Sequence, residues 1–383
     1  MKNKVVLLLG LMLSSWVQAE IKPEPIGKVN TLPVPYPAEW VIAHDAAFFH
    51  MSEGKMIVLD TEAQTLGQQY KGMFNNSFIG QFIQASKRPE MYVVETFHAR
   101  GNRGERTDVV TVYDKSTLAP IAEVVLPGGK VIKSMPEKQA VALLDDERLL
   151  LVSNFTPASS VTVVDIEQRK ILSEVQIPGC ALIYPTGKLG FSTLCSNGAM
   201  LSIQLDKEGQ VVKEERTDSF FDTNTETLFE KSAIIDGIAY FPGLAGQVQP
   251  IDLRGDKAKV LKKWWLTTEE ERAQGWRPGG WQLLDRDDSG RFYILMNPES
   301  FNGSHKDGGP EIWVYNPKKG KRVQRIKLNS WGISLALTRG DNPRVVVTNP
   351  EMNLEVYQAK TGEFIRTISG FGQETPFVVY SAK

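Results

Sequence analysis

Few residues in this 383-residue chain have the types and spacing that do chemistry. The four histidines are His44, His50, His98 and His305, and none stands in an HExxH or HxH spacing. Such a spacing is what turns two imidazoles toward one metal ion. There is neither a G-x-S-x-G elbow for a serine nucleophile nor a G-x-x-x-x-G-K-[ST] phosphate loop. The run Asp285-Arg286-Asp287-Asp288-Ser289-Gly290 hints at calcium. It lacks the spacing and the later Glu of an EF-hand loop, so it reads as a solvated hairpin turn. Tryptophans can be redox groups or quinone precursors. Trp264-Trp265, Trp276 and Trp281 read instead as core or interface anchors, with 275–281 a rigid turn between aromatic flanks. The sequence therefore nominates no catalytic, metal-binding or cofactor-binding residue in this chain.

The two cysteines, Cys180 and Cys195, bear on the compartment. Lys2 and Lys4 precede an almost wholly apolar run from Val5 to Val17, and Val17 and Ala19 stand three and one before a cut after Ala19. That is the layout of a secretory signal peptide. A membrane span needs about 20 apolar residues, so the anchor reading is the weaker one. The mature chain is expected to start near Glu20, in the periplasm. In an oxidising compartment a close pair of cysteines predicts a disulfide, Cys180 to Cys195. With 44 basic against 45 acidic residues, neither nucleic acid nor an anionic membrane is an expected partner.

The elements that position these residues repeat. One pattern, an alternating apolar strand, a polar turn and a second strand, recurs seven times. Its anchors at the strand end are Asp60, Asp114, Asp165, Asp206, Asp252, Asn316 and Gln358. Alternation turns one strand face to a core, and Asp or Asn can bond the backbone of the turn that follows. Further strand-like runs between the copies give each repeat about four strands, one propeller blade. The sequence thus predicts an all-β, seven-bladed β-propeller over 40–383, behind a signal peptide at 1–19 and a Pro-rich arm at 20–39. A pair of β-sandwiches is the rival. The run from Pro376 has no hairpin of its own and is expected to pair into the first blade, closing the ring. The best helical stretch is Leu266 to Trp276, with Thr267 or Thr268 as its cap and Gly275 as its end.

Several segments together resemble the heavy subunit of the quinoprotein amine dehydrogenases along nearly the whole mature chain. They are RGERTDVVTVYD from Arg103, LTTEEERAQGWRPGGW from Leu266, and the surroundings of Cys180 and Cys195. HDAAFFHM from His44, TPASSVTVVDI from Thr156 and GSHKDGGPEIWVYN from Gly303 lean toward the aromatic amine branch rather than the methylamine branch. The resemblance implies a periplasmic, cofactor-free large subunit, two copies of which join two small subunits. The small subunit would carry tryptophan tryptophylquinone and the catalytic aspartate. Primary amine would become aldehyde and ammonia, with electrons passed to a blue copper protein. It also implies a phenylalanine at the entrance to the quinone, a substrate-channel position for which Phe48 and Phe49, after Asp45, are the candidates. The aromatic-branch register favours Phe48 and the methylamine register Phe49; the bland reading makes both core aromatics of the first blade. Two other functions stay open: a stand-alone docking propeller, and a self-sufficient enzyme with a channel metal held by converging carboxylates.

Overall fold

The computed structural model describes residues 30–51, 53–131, 135–372 and 374–383. The expected signal peptide at 1–19 and the first part of the Pro-rich arm lie outside them. Leu32–Lys383 form one unit. Its strands fall into seven antiparallel sheets. Blade two runs in order from Gln81–Gln84 through Glu90–Arg100 and Arg103–Asp114 to Pro120–Leu126. Blades three and four start at Val141–Leu144 and Cys180–Thr186 and end at Lys170–Gln176 and Val211–Arg216. Blade five starts at Ala233–Ile235, blade six at Arg277–Pro278 and Leu284–Arg286, which share one edge of Phe292–Asn297, and blade seven at Ser334–Leu337.

Blade one is composite. Trp40–Asp45, Glu53–Asp60 and Tyr70–Ser77 come from the start of the chain, and Val378–Ser381 from its end. Ile42 pairs with Tyr380 and His44 with Val378, so the expected closing strand is present. Seven apolar clusters lie between successive blades, the one joining blades seven and one built from Val41, Ile57, Val346, Val356 and Val379. A cluster at every blade boundary is what a closed ring requires and what paired sandwiches would not give.

The turn chemistry follows the sequence. Asp165 Oδ1 accepts from the N–H of Glu167 (3.0 Å) and Gln168 (2.9 Å), and Asp114 Oδ1 from Ser116 (2.9 Å) and Thr117 (2.8 Å). Asp60, Asp206, Asp252, Asn316 and Gln358 make the same kind of bond to their own turns. The helix is real but short, Glu269–Ala273. Thr268 caps it in a reciprocal box with Glu271, and Gly275, at φ +91°, ends it. The arm is held from Leu32 onward: Leu32 N–H donates to Ser116 O and the buried Tyr36 hydroxyl to Lys115 O, both in blade two. The acidic run differs from its solvated reading. Asp285 and Asp287 are buried or nearly so; Asp287 accepts from Ser289, Arg291 and Tyr293, and Asp285 from Leu337 N–H. The loop draws its carboxylates inward to satisfy buried donors.

Candidate functional site

Strand direction sorts the loops. In each blade the strands run antiparallel, so the loops joining second to third strands, and those joining one blade to the next, all emerge on one face. Phe48 and Phe49 lie there, in the turn between Trp40–Asp45 and Glu53–Asp60. They are 40% and 75% exposed, which removes the reading of both as core aromatics. Nor do they alternate across a strand; their rings meet edge-on with centroids 5.8 Å apart.

Phe97, Phe155 and Phe301 are also exposed and stand at the same face, at the end of the second strand of blade two and in the loops of blades three and six. Of six exposed phenylalanines among the described residues, only Phe364 lies elsewhere. Exposed phenylalanines thus concentrate on one face of the ring. Beside the Phe48–Phe49 turn, Met51, Phe78, Ile79, Thr96 and His98 line a cavity of about 240 Å³. Nearer the ring's axis, Glu137, Phe229, Lys231, Trp281 and Lys306 line one of about 470 Å³. There Lys231 Nζ lies 3.1 Å from Glu137, and Lys231 and Lys306 both sit over the Trp281 ring. Burial pushes the Glu137 carboxyl up, against the pull of Lys231.

The other nominated residues separate. His44 is wholly buried below the turn, its Nε2 3.0 Å from the Asn76 amide, and burial pushes it down to about 4. His50 is exposed and pairs with Glu374. His98 borders the smaller cavity and His305 the larger. No group of three or more His, Cys, Asp or Glu side chains among the described residues is placed to hold a metal. The tryptophans are packing groups: Trp276 stacks on the buried Trp313 at 5.0 Å and Trp264 on Tyr315 at 5.4 Å. Arg272 lies over Trp265, and Trp281 packs near Phe377. Cys180 and Cys195 are bonded, from opposite positions on the first two strands of blade four, at the rim of this same face.

The sequence did not bring out Glu374 and Thr375, which grip the turn from the far end of the chain. It also missed Phe97, Phe155 and Phe301. Their signal was positional: each stands at or just before a loop on one face, which shows only once blade order is known.

These features define a closed seven-bladed propeller whose exposed phenylalanines stand mostly on one face. A family model described as the methylamine dehydrogenase heavy chain matches residues 37–382. The chain belongs to that heavy-chain family. It is 25% identical to the methylamine dehydrogenase heavy chain of Methylophilus methylotrophus, over 98% of this chain and 94% of that one. To the Paracoccus versutus heavy chain it is 29% identical, over 79% and 71%. Among solved structures it is similar to a dihydro-heme d1 dehydrogenase (TM-score 0.53, 13% identity, 94% of this chain and 78% of that one). It is also similar to a candidate 6-phosphogluconolactonase of Bacteroides fragilis (TM-score 0.58, 11% identity, 89% and 96%). At such identities these structures show the fold alone.

Proposed function

We propose that this chain is the exported, periplasmic large subunit of an amine dehydrogenase that oxidises primary aromatic amines to aldehyde and ammonia. It holds no quinone of its own. A small subunit docks on the loop face and carries tryptophan tryptophylquinone, two copies of each chain making the assembly. The quinone takes up the electrons of the amine, and a blue copper protein receives them in turn. This chain's part is to exclude water at the joint and to border the amine's path with Phe48 or Phe49. The observation that carries the reading is the gathering of exposed phenylalanines on one face of a heavy-chain family member.

The aromatic preference has its own support. The segments that lean toward that branch, from His44, Thr156 and Gly303, each carry a loop of this face. In the third of these, Gly308 has φ +76° and a Cβ there would collide with the Gly332 carbonyl, so that loop needs glycine.

Co-expression with its small subunit and that subunit's maturation machinery tests the proposal. The two chains should co-purify with a quinone chromophore and oxidise an aryl-alkyl amine in preference to methylamine. A permanent joint of this kind buries more than about 2,000 Å². Failure to bind any small quinone-bearing chain would favour the stand-alone docking propeller.

A further inference from the structure

We propose that Glu374, in the segment that closes the ring, is a positioning residue for the Phe48–Phe49 turn and through it sets which amines pass. The inference rests on the reading of that turn as a border of the amine's path.

Within itself the turn is closed by Ala47 O, which accepts from His50 N–H (3.1 Å) and Met51 N–H (2.9 Å). Residues 46–51 belong to no strand, and the two rings are exposed and touch each other. Ala47 (φ +45°) and Met51 (φ +54°) adopt the left-handed conformation, which side-chain-bearing residues keep only where surrounding contacts enforce it. Beyond these local bonds, the contacts that hold residues 48–50 come from the other end of the chain. Phe49 N–H donates to Glu374 Oε2 at 2.9 Å, and His50 Nδ1 pairs with the other oxygen of the same carboxylate. Phe48 N–H donates to Thr375 Oγ1 at 3.1 Å, and Ala46 N–H to the Thr375 carbonyl at 3.2 Å.

The holder is itself held. Asp45, 1% exposed at the end of the first strand, accepts from Glu374 N–H (3.0 Å) and Thr375 N–H (2.8 Å), and from Ala47 N–H (3.2 Å). Asp45 thus fixes the closing segment, and that segment's side chains reach back to residues 48–50. The Glu374 side chain is 10% exposed and the His50 side chain it grips is 75% exposed, so the anchor is rigid and the gripped part borders open space. Glu374, with Thr375 beside it, thus fixes the backbone from which both rings project.

The test uses Glu374→Ala, Glu374→Gln and Thr375→Val, in the assembled complex for selectivity and in the full heavy chain alone, with its loop face uncovered, for cleavage. Two measurements are made: the kcat/KM ratio for 2-phenylethylamine over methylamine, and the rate of chymotrypsin cleavage after Phe48 and Phe49. Glu374→Ala should shift the ratio roughly tenfold, in KM more than in kcat, and speed cleavage by about the same factor. Glu374→Gln keeps an oxygen for Phe49 N–H and should restore most of both readouts. Thr375→Val removes one acceptor and should move both in the same direction by a smaller factor. It also carries the test if Glu374→Ala does not fold. Wild-type cleavage in both Glu374→Ala and Thr375→Val overturns the positioning role. So does faster cleavage with an unchanged ratio, provided Phe48→Ala or Phe49→Ala does alter the ratio. If neither phenylalanine variant alters it while cleavage still accelerates, the positioning role stands and the path reading falls.

Discussion

Phe48 and Phe49 can be changed with little risk to the fold, because neither packs in the core. Replacing each singly with Ala should alter selectivity between small and aromatic amines. A pocket contact of this size is worth about 1–3 kcal/mol, so kcat/KM ratios should move by roughly tenfold to a hundredfold without loss of turnover. Unchanged ratios in both variants would remove the lining role. His44 makes a different kind of prediction. Burial holds its imidazole at about 4, against an ordinary 6.5, with Asp45 pulling weakly the other way. In the folded state the ring is therefore neutral where the unfolded chain would protonate it. Its contribution to stability is complete above pH 6.5 and is lost as pH falls from 6.5 to 4, by about 3 kcal/mol in all. Urea titrations across that window should show the loss in the wild type and a flatter dependence in His44→Gln; equal slopes would refute it. At this scale the sequence was partly legible. The resemblance supplied Phe48 and Phe49 as candidates after Asp45, and both lie in one exposed turn. The sequence could not supply Glu374, because 325 positions separate that residue from Phe49.

The element that most clearly joins sequence to face is the first hairpin of blade four. Cys180 and Cys195 sit opposite each other where that hairpin meets the loop face, and the Arg216 guanidinium lies within 3.5 Å of both sulfurs. With 15 positions between them, the bridge is worth about 3 kcal/mol in the chain-entropy account. The double Cys→Ala variant should unfold at correspondingly lower denaturant while keeping its β-sheet circular dichroism, and unreduced peptide mapping of the wild type should recover the linked pair. An unshifted midpoint would show the bridge to be energetically idle. The hairpin that follows the bridge, from Met200, was legible because alternation and an acidic strand end are local signals; the cysteine hairpin itself lacks the acidic end. The short helix was legible for the same reason, through the Thr268–Glu271 box. The inward carboxylates of Asp285 and Asp287 were not, since their donors include Leu337 N–H, a blade away in the chain.

Across the whole molecule, repeat number was readable from the sequence, and ring closure followed from one strand-like run left without a partner. What could not be read was the sidedness that gathers Phe48, Phe97, Phe155 and Phe301, since it depends on which strand of each blade faces the axis. Closure itself has a measurable consequence. Val378, Val379, Tyr380 and Ala382 are almost entirely buried, and they contribute to both clusters that flank blade one. Burying a large apolar side chain gains about 1.5–3 kcal/mol, so the three large ones together hold roughly 5–9 kcal/mol. A domain's whole margin is of order 5–15 kcal/mol. Deleting 376–383 also strips the hydrogen-bonding edge of Trp40–Asp45 and leaves the inner side of blade one open. Removing the last eight residues should therefore cost the ring most of its stability, rather than fray one end. The truncated chain should be recovered unfolded or aggregated, or should melt far below the full chain. A synthetic peptide covering 376–383 should restore a cooperative transition when added before refolding, because it replaces the missing strand. A truncated chain that melts like the full one would mean the seven blade boundaries hold without the closing strand Val378–Ser381, and closure would be an ornament of the fold rather than its lock.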